Sequence, residues 1–321
     1  MQQLSLDELK TTEYGILCAF ADYCNAHRLR YWLGNGTLIG AVRHKGFIPW
    51  DDDIDVFMPR PDYEALKADF NSGNSRYRFK DLSVSRDFYG ILFGKIIDTE
   101  TVLKESEIDI SGAGVCIDVF PLDGLGNDFH KAEKILKKCK RISYLLYISM
   151  FGYEKPHSPA DVLRLIRLFF LKHFRNTVYN CFLSIGKKHP YEDSKYIGKP
   201  STLPKHYIIG ERRWFCGNIP VEFEGRLFPA PSGYDEYLSA QFGDYMTMPP
   251  EEERRTAHSF KAYYNSTPLS FILISNFYNH HQAPFCDAMF SETHRKFKFI
   301  ETDTIGPKRL KMGWKPLKND D

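Results

Sequence analysis

The stretch Gly46–Pro59, "GFIPWDDDIDVFMP", sets four carboxylates (Asp51, Asp52, Asp53 and Asp55) within five residues and then turns apolar at once. Along a β-strand, residues two apart point to the same face. The alternation therefore predicts that Ile54, Val56 and Met58 face a core. Asp53, Asp55 and Phe57 share the other flank, with Asp51 on that side just ahead and Asp52 as a solvated strand-end residue. Pro49 favours an extended entry to the run. Two unit charges about 4 Å apart repel by roughly 1 kcal/mol in water, and by several-fold more where water is excluded. An aligned row of carboxylates thus calls for a counter-charge, and all-oxygen ligation suits Mg2+ or Mn2+ better than zinc.

A second stretch, Gly114–Gly124, "GVCIDVFPLDG", repeats the pattern with Asp118 as a lone carboxylate inside an apolar strand closed by turn residues. An unpaired, dry carboxylate costs several kcal/mol. If the two strands are neighbours, Asp118 joins Asp53 and Asp55 in a three-carboxylate metal site. The blander alternatives pair Asp51 with Arg43 or Lys45, and let Asp118 cap a turn or meet a lysine.

Upstream lies "LGNGTLIG". Gly34 and Gly36 permit close backbone approach to a ligand, and Thr37 offers a hydroxyl and an amide at a helix start, a place that holds phosphate oxygens. The stretch matches neither the dinucleotide fingerprint nor the P-loop. With Arg43, Lys45 and Lys95 near in sequence as candidate phosphate partners, these residues form a phosphoryl-transfer set. In such a set the cation neutralises donor phosphates, and one of Asp51, Asp53, Asp55 and Asp118 takes the proton from the attacking hydroxyl.

The chain has 321 residues, 43% hydrophobic and 26% charged, as in ordinary globular proteins. Its net charge of +2 is unevenly spread, with thirteen Lys/Arg against three Asp/Glu between residues 131 and 188. Seven cysteines without a CxxC pair disfavour a metal-thiolate site or a disulfide framework. The opening "MQQLSLDELK" lacks the apolar core of a signal peptide, and no apolar run reaches the roughly 20 residues of a membrane span, so the expected compartment is the cytoplasm.

Ser5 and Glu8 have capping-box spacing ahead of a helix that fades near residues 25–28. "RPDYEALKADF" and "GYDEYLSAQFG" read as helices, residues 131–150 and 161–185 as helical, and residues 196–231 as extended; "MPPEEERR" reads as a stop followed by another helix. The class is α+β with a helical second lobe. In "DVLRLIRLFFLKHFRN", Arg164, Arg167, Lys172 and Arg175 alternate with Leu163, Ile166, Phe169 and Phe170, either as a plain surface helix or as a basic amphipathic segment (residues 161–175) for an anionic membrane.

Three blocks together resemble the LicD/fukutin family of phosphotransferases: "YWLGNGTLIGAVRHKGFIPWDDDIDVFMPR", "GVCIDVFPLDG" and "VEFEGRLFPAPSGYDEYLSAQFGDYMTMPP", in order along residues 5–260. The resemblance implies a nucleotidyltransferase-like mixed sheet flanked by helices. It places a catalytic core in residues 1–130, a basic helical insertion in 131–195 and the C-terminal part of the catalytic domain in 196–265, leaving 266–321 as a tail of unknown role. It implies a CDP-linked small-molecule donor, release of CMP, and a hydroxyl of a glycan, possibly lipid-linked, as acceptor, with no nucleic-acid partner. Bacterial members typically move phosphocholine from CDP-choline to lipopolysaccharide, teichoic acid or capsule; fukutin-type relatives move ribitol phosphate. Asp53 and Asp55 match the family's metal pair, Asp51 the first member of its DxDxD, Asp118 the third metal carboxylate, and Gly34, Gly36 and Thr37 its phosphate-binding turn, although an Asn-Gly pair replaces the commoner Gly-Ser. For a choline head group the expected aromatic partners are Trp32, Trp50, Tyr89 and Trp214, each equally able to serve as core or rim. Glycerol- or ribitol-phosphate transfer and a non-catalytic cation-binding module are the alternatives.

Overall fold

The structure, a computed structural model, describes residues 2–73, 76–83, 92–104, 113–148, 165–166, 169–171, 173–200, 209–254, 256, 261–265, 271–275 and 297–301. The chain divides into two compact units, Gln2–Asn265 and Met1 with Ser266–Asp321. In the smaller unit, strands Phe271–Ser275 and Phe297–Glu301 pair in parallel. The apolar run "FILIS" at 271–275 has strand character.

In the larger unit, helix α1 (Leu6–His27) opens on the expected capping box, with Ser5 Oγ accepting from the Glu8 amide, and closes at Arg28 in the left-handed conformation. Strand β1 (Trp32–Leu33), helix α2 (Asn35–His44), strand β2 (Asp55–Pro59) and helix α3 (Arg60–Gly73) follow. Strands β3 (Tyr77–Lys80), β4 (Gly94–Asp98), β5 (Thr101–Lys104) and β6 (Cys116–Gly126) come next. Then come α4 (Phe129–Ile148), α5 (Arg175–Gly186), β7 (Tyr196–Gly198), β8 (Ile209–Glu211), β9 (Asn218–Phe223), β10 (Arg226–Pro231), α6 (Tyr234–Phe242) and β11 (Lys261–Tyr264).

The main sheet runs β1-β2-β6-β4-β3, with β7 and β8 continuing from the far half of β6. Strand β2 is parallel to β6 and the other pairings are antiparallel, so the sheet is mixed. Helix α1 packs on β4 and β6, and α3 on β2, β3 and β6. Ile54, Val56, Met58, Ile117 and Val119 are fully buried, as the alternation predicts.

The sequence reading needs four corrections. Asp51 hydrogen-bonds the Ile48 carbonyl, so Pro49 opens a tight turn where an extended entry was expected, and the strand begins only at Asp55. Phe57 is 1% exposed, so both flanks of β2 are covered, and Asp52, expected in solvent, is buried. Strand β6 does not stop at "PLDG" but runs to Gly126 through a bulge, because β7 supplies a partner for its second half. After Pro250 there is a single 3-10 turn, Glu251–Glu253, in place of a helix.

Candidate active site

Asp55 and Asp118 are register partners on β2 and β6, and Lys95 on β4 is the register partner of Asp118 from the other side. One parallel and one antiparallel pairing therefore lay two carboxylates and an ammonium in one row across three strands. Lys95 Nζ donates to Asp118 Oδ1 at 2.5 Å. Although burial opposes its charge, the neighbouring Asp118 and Cys116 hold the Lys95 ammonium above its usual range. Asp118 thus does both things the sequence left open: it meets a lysine and it stands beside Asp55.

The start of α2 clasps Asp55 from the other direction. Gly34 N–H donates to the Asp55 carbonyl (2.9 Å), Asp55 N–H donates to Thr37 Oγ1 (2.8 Å), and Asn35 Nδ2 donates to Asp55 Oδ2 (2.7 Å). Two glycines make this fit possible. A Cβ on Gly34 would lie 2.7 Å from the Phe57 ring, and one on Gly36 would lie 2.7 Å from Asp51 Oδ2. Gly34, Gly36, Thr37, Asp51, Asp55, Asp118 and Lys95 are thereby gathered, with Asp53 electrostatically coupled to Asp55. Arg43 and Lys45 are not. They occupy the opposite end of α2, on the order of 12–15 Å away at 1.5 Å per residue. There Arg43 donates to the Tyr245 carbonyl and Lys45 pairs with Glu222.

Crowding shifts the acids upward. Burial, then Asp53 and Asp118, push Asp55 up to about 8. Burial raises Asp51 as well, with Asp55 and Asp52 adding to the rise and a hydrogen bond to Asp53 opposing it.

Three residues join this site that sequence reasoning did not single out. Glu13 of α1 is buried, and burial followed by Asp53, Asp52 and Asp118 drives it well above the carboxylate range. Its signal was present: Glu13 interrupts the apolar face at i+4 from Leu9 and i−4 from Leu17. Lys199, just after β7, donates to Asn35 Oδ1 (3.1 Å), and Tyr237 OH of α6 donates to the same oxygen (2.9 Å). Tyr237 lies within the third block of the family resemblance, though nothing there singled it out, and Lys199 stands in none of the three blocks.

Of the aromatic candidates, Trp32 is core and donates to Asn218 Oδ1, Trp50 lies under the Arg254 guanidinium, and Trp214 packs against Gly233. Tyr89 lies outside the described residues. Arg164, Arg167 and Lys172 do too, whereas Ile166, Phe169, Phe170 and Phe174 are about half exposed or more.

The donor chemistry fits a hard divalent cation: carboxylate oxygens crowd one place, Asp55 and Glu13 are held above their ordinary range by burial and then by neighbouring carboxylates, and Glu13 Oε2 is buried without a hydrogen-bond partner among the described residues. As it stands, no group of three or more His, Cys, Asp or Glu side chains among the described residues is disposed to hold a metal ion. Lys95 holds one Asp118 oxygen and Asn35 one Asp55 oxygen, so a cation would have to share or displace these partners.

A mixed-sheet α+β domain with an acidic row facing a glycine-bracketed helix start is the class that the comparisons identify: residues 28–138 match the family described as "LicD/FKTN/FKRP, nucleotidyltransferase domain". The chain is 33% identical to the lipopolysaccharide cholinephosphotransferase LicD of Haemophilus influenzae over 278 residues, 82% of this chain and 99% of that protein. It is 57% identical over 28 residues, 9% of this chain and 6% of the other, to the human ribitol 5-phosphate transferase FKRP. An uncharacterized protein of Rickettsia prowazekii is 50% identical over 36 residues, 11% of this chain and 14% of that protein. The chain belongs to the LicD/FKTN/FKRP family.

Proposed function

We propose that this protein transfers phosphocholine from CDP-choline to a hydroxyl of a cell-surface glycan, releasing CMP. The observation that carries the reading is the register of Asp55 against Asp118 at the start of α2, in a chain 33% identical over 82% of its length to a lipopolysaccharide cholinephosphotransferase. Asp53, Asp55 and Asp118 would hold Mg2+ or Mn2+, which when bound neutralises charge on the donor phosphates. The amides at Gly36 and Thr37 face incoming phosphate oxygens from the first turn of α2, where the helix offers them no acceptor. Asp51, in contact range of Gly36 and raised in proton affinity, is placed to take the acceptor hydroxyl's proton.

The acceptor side adds a location. Ile166, Phe169, Phe170 and Phe174 are exposed within the most basic part of the chain. Lys137, Lys140 and Arg141 line a groove with Tyr144 and Leu145. This combination suits peripheral contact with the inner face of an anionic membrane, where lipid-linked glycans reside. Among the described residues no helix is long and apolar enough to cross a membrane.

The test is CMP release from CDP-choline, CDP-glycerol and CDP-ribitol with Mg2+ and a glycan acceptor, for wild type beside Asp55→Ala. Turnover of CDP-choline, lost in a folded Asp55→Ala, is expected. Release from a polyol donor alone would move the assignment to polyol-phosphate transfer. No release from any donor would leave a cation-binding module.

A further inference from the structure

Asp53, Asp55 and Asp118 are assigned the cation and Asp51 the proton. Glu13 of α1 lies among these acids and is only 2% exposed. Its Oε2 atom is buried without a hydrogen-bond partner among the described residues. A buried polar atom left unsatisfied is destabilising, and a buried ionised carboxylate more so. Leucine would fill this position on the buried face of α1, between Leu9 and Leu17, without that penalty.

Two sets of contacts fix where the Glu13 side chain stands. Lys10, one turn earlier on the same face of α1, donates through Nζ to the carbonyls of Ile48 (3.3 Å) and Pro49 (2.9 Å). The helix is thereby fastened to the turn that leads into residues 51–53. On the other side, α1 packs on β4 and β6. Cys116 and Asp118 share one flank of β6, and Lys95 Nζ of β4 reaches both, 3.6 Å to Cys116 Sγ and 2.5 Å to Asp118 Oδ1. The Glu13 carboxyl acts on that same Cys116. After burial itself, the groups that act on Glu13 are Asp53, Asp52, Asp118 and Asp51, in that order. The carboxyl is thus held between the aspartate run and Asp118.

From this placement we propose that Glu13 is a fourth carboxylate of the cation site, supporting the bound ion from α1 through the ion's own waters. The proposal rests on the cation reading above and adds the residue that supports the ion from outside its three aspartates. Mg2+ dehydrates reluctantly and keeps several waters while one or two carboxylates hold it directly. A carboxylate that accepts from those waters need not touch the ion. That agrees with the finding that no three acids among the described residues are disposed around one point. Outer partners of this kind orient a metal site, and their loss typically costs about 10–100-fold in affinity.

The experiment is titration of the full chain with Mn2+, following the paramagnetic resonance signal of the free ion, beside thermal melting of the metal-free protein. Two variants remove the charge: Glu13→Gln keeps the side-chain shape, and Glu13→Met suits the buried face of α1 should the amide fold poorly. Asp69→Asn removes one exposed acidic charge from α3 and controls for net charge. The Glu13 variants are expected to lose about tenfold or more in Mn2+ affinity. Their metal-free melting temperature should equal or exceed that of wild type, since a buried carboxyl is less favourable than either replacement. A merely structural glutamate would give the reverse, a lowered melting temperature with Mn2+ affinity intact. A folded Glu13 variant that binds Mn2+ within about twofold of wild type, or loses no more than Asp69→Asn does, overturns the proposal. Asp55→Ala separates the failures: if it binds Mn2+ as wild type does, or if wild type binds none, the cation reading itself is overturned and the proposal with it.

Discussion

Asn35 Nδ2 donates to Asp55 Oδ2 at 2.7 Å, while its own backbone sits in the left-handed region at φ 40°. A residue in that region carries a backbone cost that asparagine and glycine bear most easily. Here the side chain repays it by joining β2, Lys199 and Tyr237 at one point.

Asn35→Ala should therefore destabilise the protein by about 3 kcal/mol, the sum of lost hydrogen bonds and backbone strain. Asn35→Gly, which keeps the backbone free, should cost about 1 kcal/mol less. Urea denaturation of both measures the difference, and equal losses would show that the φ angle carries no strain.

The metal-free protein should lose stability as pH rises. Asp55, pushed up to about 8 by burial and its acidic neighbours, keeps its proton in the folded state where the unfolded chain has already given it up. For an acid raised on folding, that contribution is whole below about 4 and is lost as pH climbs toward 8. Asp55→Asn should flatten the slope between pH 5 and 8 by on the order of 2 kcal/mol, read from denaturation midpoints. An unchanged slope would mean that Asp55 ionises normally.

Added Mg2+ should reverse that loss, because carboxylates must ionise to bind it. At a hundred times its dissociation constant a ligand stabilises by about 2.7 kcal/mol. The rise in Tm should be larger at pH 8 than at pH 5 and absent in Asp55→Ala; an equal rise in that variant would place the ion elsewhere.

Lys95→Met should cost about 3 kcal/mol, since it strands the Asp118 carboxylate beside Asp55. Asp118→Asn in the Lys95→Met background should recover part of the loss, because the stranded charge goes with it. A double-mutant cycle reads the coupling, and strict additivity would mean that the pair does not interact.

Replacing Phe169, Phe170 and Phe174 together by serine should reduce flotation with anionic liposomes at low salt several-fold while leaving CMP release in solution intact. Wild type that does not float would remove the membrane contact.

Much of this site could be read from one dimension because it is built from short-range patterns. Period-two alternation placed Ile54, Val56 and Met58 inward, and the capping box of Ser5 and Glu8 and the Gly34–Thr37 turn are local by nature. The places where the reading slipped differ in cause. The Pro49 turn is closed locally by the Asp51 amide on the Ile48 carbonyl, Asp52 is buried by the fold, and β6 runs on to Gly126 because β7, remote in sequence, supplies a partner strand.

What the sequence determined by itself, then, was which residue types were present for the chemistry and on which strands they lay: two β-segments, each bearing aspartate amid apolar neighbours, and a glycine-bracketed helix start. Tertiary structure alone decided that Asp55 faces Asp118, that Arg43 and Lys45 stay a helix-length away, and that Glu13, Lys199 and Tyr237 arrive from three other places in the chain. Periodicity fixes the direction of a side chain relative to its own backbone, whereas partners across a sheet are chosen by packing over the whole fold.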